Sequence, residues 1–335
     1  MLFRAVYVAV TCVALMFIQV KTMACFCSCT NSRDHQAKQA YTGTPDRSIP
    51  VNNHRRQWIE NRIRILSSLF ALGICSYCVI SNHIHIVIKL MPQEAESWMD
   101  NEVLERWTHL YRGPRAVQQW SANTLDNPAD YETLNRLIAK YRNRLGDLGW
   151  FMKCLNEPIA RQANKEDGCT GHFWESQYKS QALLTEEALL TCMAYVDFNP
   201  VRAEMCNTPE ESDDTSIKER IAPSFDLAKA TDDEIKQQRL HRFDLPLKPL
   251  AQFEGNVTSR EQIGILFSLN DYLQLVDTTG RMIRPDKRGA IPINLPPILE
   301  RLSINRQQWL QQSQQFEELY ASQFAKKRRT LQKTA

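Results

Sequence analysis

His83 and His85 are the two residues whose type and spacing point most directly to chemistry. They stand in Cys75-Ser-Tyr-Cys-Val-Ile-Ser-Asn-His-Ile-His-Ile-Val-Ile-Lys-Leu90, where Val79, Ile80, Ile84, Ile86, Val87 and Ile88 are β-branched and predict a strand. Strand side chains alternate between faces, so the two imidazoles share one face while Ile84, Ile86 and Ile88 turn into a core on the other. Two imidazoles so placed can bind one divalent metal ion; the other reading is a pair of histidines on a solvated sheet face. The same alternation sends Cys75 and Cys78 to opposite faces, against a zinc knuckle or a redox pair.

A second group lies in Gly168-Cys-Thr-Gly-His-Phe-Trp-Glu-Ser-Gln-Tyr-Lys-Ser-Gln181. Its glycines predict a turn leading into a short strand. His172, Phe173, Trp174, Tyr178 and Lys179 mix aromatic planes with cations, which suits single-stranded nucleic acid, with core packing as the plain alternative. The following helix begins at Thr185, with Glu186 and Glu187 in its first turn. It places Tyr195 and Asn199 one turn apart on one face, either as a reactive pair or as a packed tyrosine and a helix-ending asparagine.

Before the histidine strand, residues 53–72 carry an apolar pattern at three-to-four spacing through Trp58, Ile59, Ile63, Leu66 and Phe70 and predict a helix. Helices are also expected over residues 94–113, 131–145 and 148–165, with a loop over 114–130. Helix and strand in this order suggest an α+β layer. Beyond Asn207 an acidic linker leads into a mainly helical part, with helices over 216–221, near 259–267, over 270–278 and over 305–327. The chain of 335 residues is 43% hydrophobic and 24% charged, with a net charge of +3. That balance belongs to a globular protein and does not by itself announce a nucleic-acid binder. Basic clusters at His54–Arg56, Arg136–Arg144 and Lys326–Arg329 read as local surfaces or solvated helix faces. Ten cysteines form no framework: Cys25, Cys27 and Cys29 are a weak metal-binding candidate without a second ligand cluster, and the scattered rest read as reduced.

His83-Ile84-His85, Gly171-His-Phe-Trp-Glu-Ser-Gln-Tyr-Lys-Ser180 and Tyr195-Val-Asp-Phe-Asn-Pro-Val-Arg202 together resemble the REP-associated tyrosine transposases, of the insertion-sequence-200-like HUH superfamily of single-strand transposases. The resemblance covers roughly residues 53–205. It implies a ferredoxin-like antiparallel sheet with helices over 53–206, preceded by an atypical segment over 1–52 and followed by a mainly helical extension over 207–335. It further implies Tyr195 as the nucleophile, and His83, His85 and Asn199 as ligands of Mg²⁺ or Mn²⁺. Mn²⁺ is the better match to nitrogen ligands. Arg161, Lys165, His172, Trp174, Lys179 and Arg202 then contact the DNA. The implied reaction is cleavage and rejoining of single-stranded or hairpin DNA through a 5′-phosphotyrosine, without ATP or another nucleotide cofactor, in the cytoplasm at the nucleoid.

The chain departs from that family at its start. Residues 1–50 lack the opening strand with a Tyr-Tyr-His-like segment and a basic turn, and Val6–Phe17 is the candidate replacement. A frameshift or a misassigned start is the other origin, and it leads to the alternative of an inactive hairpin-binding relative with a degraded N-terminus. The apolar run over 1–20 also has the make-up of a signal-peptide core or a short membrane anchor, or of a buried strand.

Overall fold

The computed structural model describes residues 14–21, 53–80, 83–175, 177–254, 264–265, 267–281 and 289–302. It is an α+β protein built on one four-stranded antiparallel sheet. The strands are β1 (Ala14–Lys21), β2 (Leu72–Val79), β3 (His83–Leu90) and β4 (Lys179–Leu183), and their order across the sheet is β2-β3-β1-β4. The apolar run near the start is therefore a strand over residues 14–21, at the centre of the sheet. Ile18 faces Ile86 and Val20 faces Ile84 in register, and both are buried to 1% exposure or less. Among the described residues no helix is long and apolar enough to cross a membrane.

The helix α1 (Asn53–Leu69) connects β1 to β2 and lays Ile59, Ile63 and Leu66 on one sheet face. Between β3 and β4 come α2 (Pro92–Ser97), α3 (Asp100–Leu110), α4 (Arg115–Ser121), α5 (Pro128–Leu145) and α6 (Leu148–Glu166). The predicted loop over 114–130 thus contains α4, a two-turn helix whose Ala116 and Val117 are buried. Asp147 caps α6 by accepting the Trp150 N–H at 2.8 Å. Phe151 and Leu155 of α6 and Ile63 and Leu66 of α1 share a core with Ile74, Tyr77, Ile84, Ile86 and Ile88 of the sheet.

The opposite sheet face is covered by α7 (Glu186–Asp197); after Phe198 the chain runs through α8 (Asn199–Arg202), α9 (Ser216–Ile221), α10 (Leu227–Lys236), which packs on the α1 side, α11 (Leu269–Arg281) and α12 (Ile298–Arg301). Met193 and Val196 of α7 meet Val87 of β3 there, together with Tyr272 and Val276 of α11. Residues beyond 207 supply side chains to both cores, with Leu240 and Leu250 in the first and Tyr272 and Ile298 in the second. The predicted helix at 216–221 is present as α9, whereas α10 was not predicted. Cys25, Cys27 and Cys29, most of 259–267, and residues 305–327 lie outside the described residues.

One expectation about the sheet is corrected. Cys75 and Cys78 both pack in the core under α7, because β2 shifts register between Ile74 and Ser76. The extra bulge residue cancels the alternation that would have separated them. Their thiols are buried, and burial pushes the Cys75 thiol up to about 11 and the Cys78 thiol well upward too.

Two predictions arise from the packing. Glu60 of α1 accepts a hydrogen bond from Tyr77 Oη at 2.6 Å, and burial pushes its carboxyl from 4.5 up to about 7. A raised folded-state value means that the folded chain keeps a proton which the unfolded chain has released. This contribution is complete below about 4.5 and is lost as the pH rises through about 7. Glu60→Gln, which keeps an acceptor for Tyr77, is expected to flatten the fall in stability between these pH values, as read by urea unfolding across the range. Asp214, pushed to about 6 by burial, leaves a residual slope. The second concerns Gly280 of α11, where a Cβ would collide with the Phe198 ring and with Ile291 Cδ1. Alanine gains about 1 kcal/mol of helix propensity but overpacks at a cost of about 1–3 kcal/mol. Gly280→Ala is therefore expected to lower the urea midpoint.

Candidate active site

Strand β3 presents His83, His85, Val87 and Lys89 on the face toward α7, and Ile84, Ile86 and Ile88 on the face toward α1. The shared face read from the alternation is present, but the surroundings differ between the two histidines. His83 is half-buried, while His85 is fully buried. The reading of both as solvated residues is therefore corrected for His85, which lies beneath α7 rather than on an open sheet face. Their ring centroids are 4.6 Å apart, with the rings nearly perpendicular.

Burial, with a smaller effect from His83, pushes the His85 imidazole down to about 3. It therefore stays neutral across the physiological range and keeps a nitrogen lone pair, which is the form that ligates metals. The adjacent imidazoles fit a borderline or nitrogen-tolerant divalent ion as a two-donor set. Among the described residues no group of three His, Cys, Asp or Glu side chains comes together to hold a metal.

Tyr195 reaches this pair from the helix above. Thr185 caps α7 by accepting the Ala188 N–H at 3.1 Å, and Leu189, Met193 and Val196 seat the helix on the core. That phase leaves Tyr195 45% exposed at the helix edge. Its ring nonetheless stands 5.6 Å from the His85 ring, edge to face. Beside it is an open depression of about 520 Å³ lined by Thr185, Ala188, Thr191, Cys192 and Tyr195, which gives a ligand access to the phenol. Asn199 opens α8 and is 9% exposed, one turn past Tyr195, where its carbonyl accepts the Ala203 N–H.

Asp197 is a residue whose importance the sequence reading missed. It is completely buried two positions after Tyr195. Its Oδ1 accepts from Ser76 Oγ at 3.0 Å and Ser216 Oγ at 2.5 Å, and its Oδ2 from Tyr272 Oη at 2.5 Å. Burial pushes this carboxyl above the usual carboxylate range, and the three hydroxyl donors oppose the shift. The site therefore rests on an anchor joining α7 to β2, α9 and α11. Its signal was the Asp within Tyr195-Val-Asp-Phe-Asn-Pro, but partners up to 121 positions away carry no local pattern.

The residues expected to contact DNA are spread over α6, the turn after it, β4 and α8. Arg161 and Lys165 lie on α6, in the layer on the other face of the sheet, where Arg161 pairs with Glu157. His172 is exposed in the turn that follows. Trp174 is half-buried against the first core and donates its indole N–H to the Asn156 carbonyl at 2.9 Å, so the core-packing alternative describes it well. Lys179 is exposed at the start of the edge strand β4. Arg202 lies over the Phe198 ring at 4.8 Å and donates to the Thr279 carbonyl at 3.3 Å, docking α8 on α11.

No family model matches the chain, and no curated protein matches it. Among solved structures, that of a REP-associated tyrosine transposase bound to a REP hairpin is similar over 67% of this chain and 93% of that one, at 12% identity and a TM-score of 0.28.

Proposed function

We propose that the chain is an HUH-type tyrosine transposase that cleaves and rejoins single-stranded or hairpin DNA through Tyr195. The observation carrying this reading is the approach of the Tyr195 ring to the neutral, buried His85, itself in ring contact with His83. The motifs around these residues match the order His-x-His, then Tyr-x-x-x-Asn-Pro. Support for a ferredoxin-like core comes from the strand order β2-β3-β1-β4, with α1 between β1 and β2 and helices between β3 and β4. On this reading β1 joins residues 53–206 in the catalytic unit, residues 207–335 are its extension, and the protein works in the cytoplasm at the nucleoid.

The reaction follows from the nucleophile. Tyr195 Oη attacks phosphorus and forms a P–O bond as the P–O3′ bond breaks. The phenol loses its proton, and the departing oxygen gains one to become a free 3′-hydroxyl. The 5′-phosphotyrosine conserves the phosphoester, so a DNA 3′-hydroxyl can reverse the step without ATP. His83 and His85, with Asn199 as the amide donor, would hold Mg²⁺ or Mn²⁺, which when bound would offset charge developing at the phosphate. Arg202 and Lys179 would contact neighbouring phosphates.

The test is cleavage of a panel of labelled single-stranded hairpins with Mn²⁺, together with Mn²⁺ titration followed by electron paramagnetic resonance. The unmodified chain is expected to nick at least one hairpin and to bind the ion. His83→Ala is the more diagnostic variant, since the half-buried His83 can be truncated with less loss of core than His85. It is expected to lose both signals with an unchanged circular dichroism spectrum. Cleavage that persists in His83→Ala would overturn the metal assignment. Tight hairpin binding with no nicking by the unmodified chain would favour an inactive relative.

A further inference from the structure

On the sheet face opposite Tyr195, a groove of about 680 Å³ runs between α3, α6 and the end of α10. Its lining includes Arg144, Lys153, Lys165, Lys236 and Arg239, and the carboxylate on its wall, Glu157, is paired with Arg161. Several arginines elsewhere are matched: Arg55, Arg106, Arg142, Arg281 and Arg301 all hold carboxylates. Among the described residues, by contrast, Arg144, Lys153, Lys165 and Lys236 have no carboxylate within ion-pair distance. Cations left uncompensated together on one wall raise the local potential and favour an anion there.

Two features show that this wall is built rather than merely solvated. The Arg144 guanidinium sits over the Trp150 ring at 3.9 Å, and Lys153 Nζ approaches the same ring at 4.7 Å. These cation–π contacts fix the charges without using up their N–H donors. Deeper in, Arg239 is only 7% exposed. Its Nη2 contacts Glu234 at 2.8 Å, but Glu234 also takes a 2.7 Å hydrogen bond from the buried Arg62. One carboxylate thus serves two buried guanidiniums, and Arg239 Nε and Nη1 find no hydrogen-bond acceptor among the described residues. A buried charged donor in that state calls for an oxyanion partner.

We infer that this groove binds the phosphodiester backbone of a nucleic acid strand, at a surface separate from the Tyr195 site. The extent of the charge selects a polymer over a small anion. Lys153 and Lys165 lie on one helix, so at 1.5 Å of rise per residue the basic wall extends about 18 Å, longer than any single phosphate group. Because the C-terminal extension supplies Lys236 and Arg239, this assigns it a part in holding DNA. The inference rests on the nucleic-acid reading above, but not on cleavage.

The test measures binding of a labelled hairpin oligonucleotide by fluorescence anisotropy across a salt series. It compares the full chain with the triple variant Lys153→Glu, Lys165→Glu, Lys236→Glu, whose three sites are exposed. The variant is expected to bind at least 10-fold more weakly at low salt. Its slope of log K against log salt should be shallower by about 2, at ~0.7–0.9 for each phosphate no longer neutralised. Arg144→Gln should move both readouts in the same direction by a smaller amount. An unchanged affinity and slope in the triple variant would overturn the inference. So would displacement of the DNA by poly-aspartate as effective as by unlabelled DNA, which would mark a site for acidic protein segments. Repeating the series in Tyr195→Phe reads the groove independently of cleavage, so a failure of the transposase chemistry appears as a missing adduct and leaves the salt slopes to judge the groove.

Discussion

Tyr195→Phe is expected to abolish the covalent protein–DNA conjugate, by at least about 10³-fold, while the chain still folds and still binds hairpin DNA. The substitution removes one hydroxyl from a side chain that is 45% exposed, a change that ordinarily moves stability by no more than about 0.5 kcal/mol. The ring stays in place over His85, so Mn²⁺ binding is also expected to survive. Denaturing electrophoresis of a reaction with labelled hairpin, followed by peptide mapping, reads the outcome. The other tyrosines are poorly placed to substitute. Tyr141 is buried and stacked on Trp107 at 4.3 Å, and Tyr178 packs in the α1–α6 layer, where burial pushes its phenol upward. An undiminished conjugate in the Phe variant, or one mapped to Tyr178, would refute the role given to Tyr195.

The arrangement around Tyr195 was legible in the sequence to the extent that it depends on local periodicity. Period-two alternation placed His83 and His85 on one face and Ile84, Ile86 and Ile88 on the other. The cap at Thr185 and the acidic first turn marked the start of α7. What escaped depends on long-range contact or on a one-residue irregularity. The bulge between Ile74 and Ser76 brought Cys75 to the same core as Cys78, which no period-two pattern shows. The strand character of residues 14–21 lay within an apolar run that fits a strand, an anchor or a signal segment equally, and only pairing with β3 and β4 decides among these. The basic groove joins residues up to 177 positions apart, as in the hydrogen bond from Arg62 to the Arg239 carbonyl at 2.8 Å. Such a surface has no signature along the chain.

The largest stability effect is expected at Asp197. Asp197→Ala deletes the acceptor of three buried hydroxyl bonds, from Ser76, Ser216 and Tyr272. Ser216 Oγ also accepts the Tyr77 N–H at 3.0 Å, so the loss reaches the β2 backbone. The buried Arg220, which donates to the Cys75 and Ala251 carbonyls at 2.8 Å, loses a compensating negative charge at the same time. A hydrogen bond to a charged group contributes about 1.5–3 kcal/mol, and relief of the desolvated carboxylate offsets part of the total, so a net loss of about 3–5 kcal/mol is expected. Asp197→Asn keeps one acceptor oxygen but turns an N–H₂ toward hydroxyl donors, and should fall between alanine and the unmodified chain. Tyr272→Phe removes a single donor and is expected to cost about 1.5–3 kcal/mol. Urea unfolding of Asp197→Ala, Tyr272→Phe and the double variant forms a cycle, and the coupling energy should be at least about 1 kcal/mol because the two groups share one bond. Additive losses would show that the carboxylate does not hold α11 against α7. An Asp197→Ala chain as stable as the unmodified one would dismiss the anchor altogether, and with it the account of how α7 is held with Tyr195 over His85.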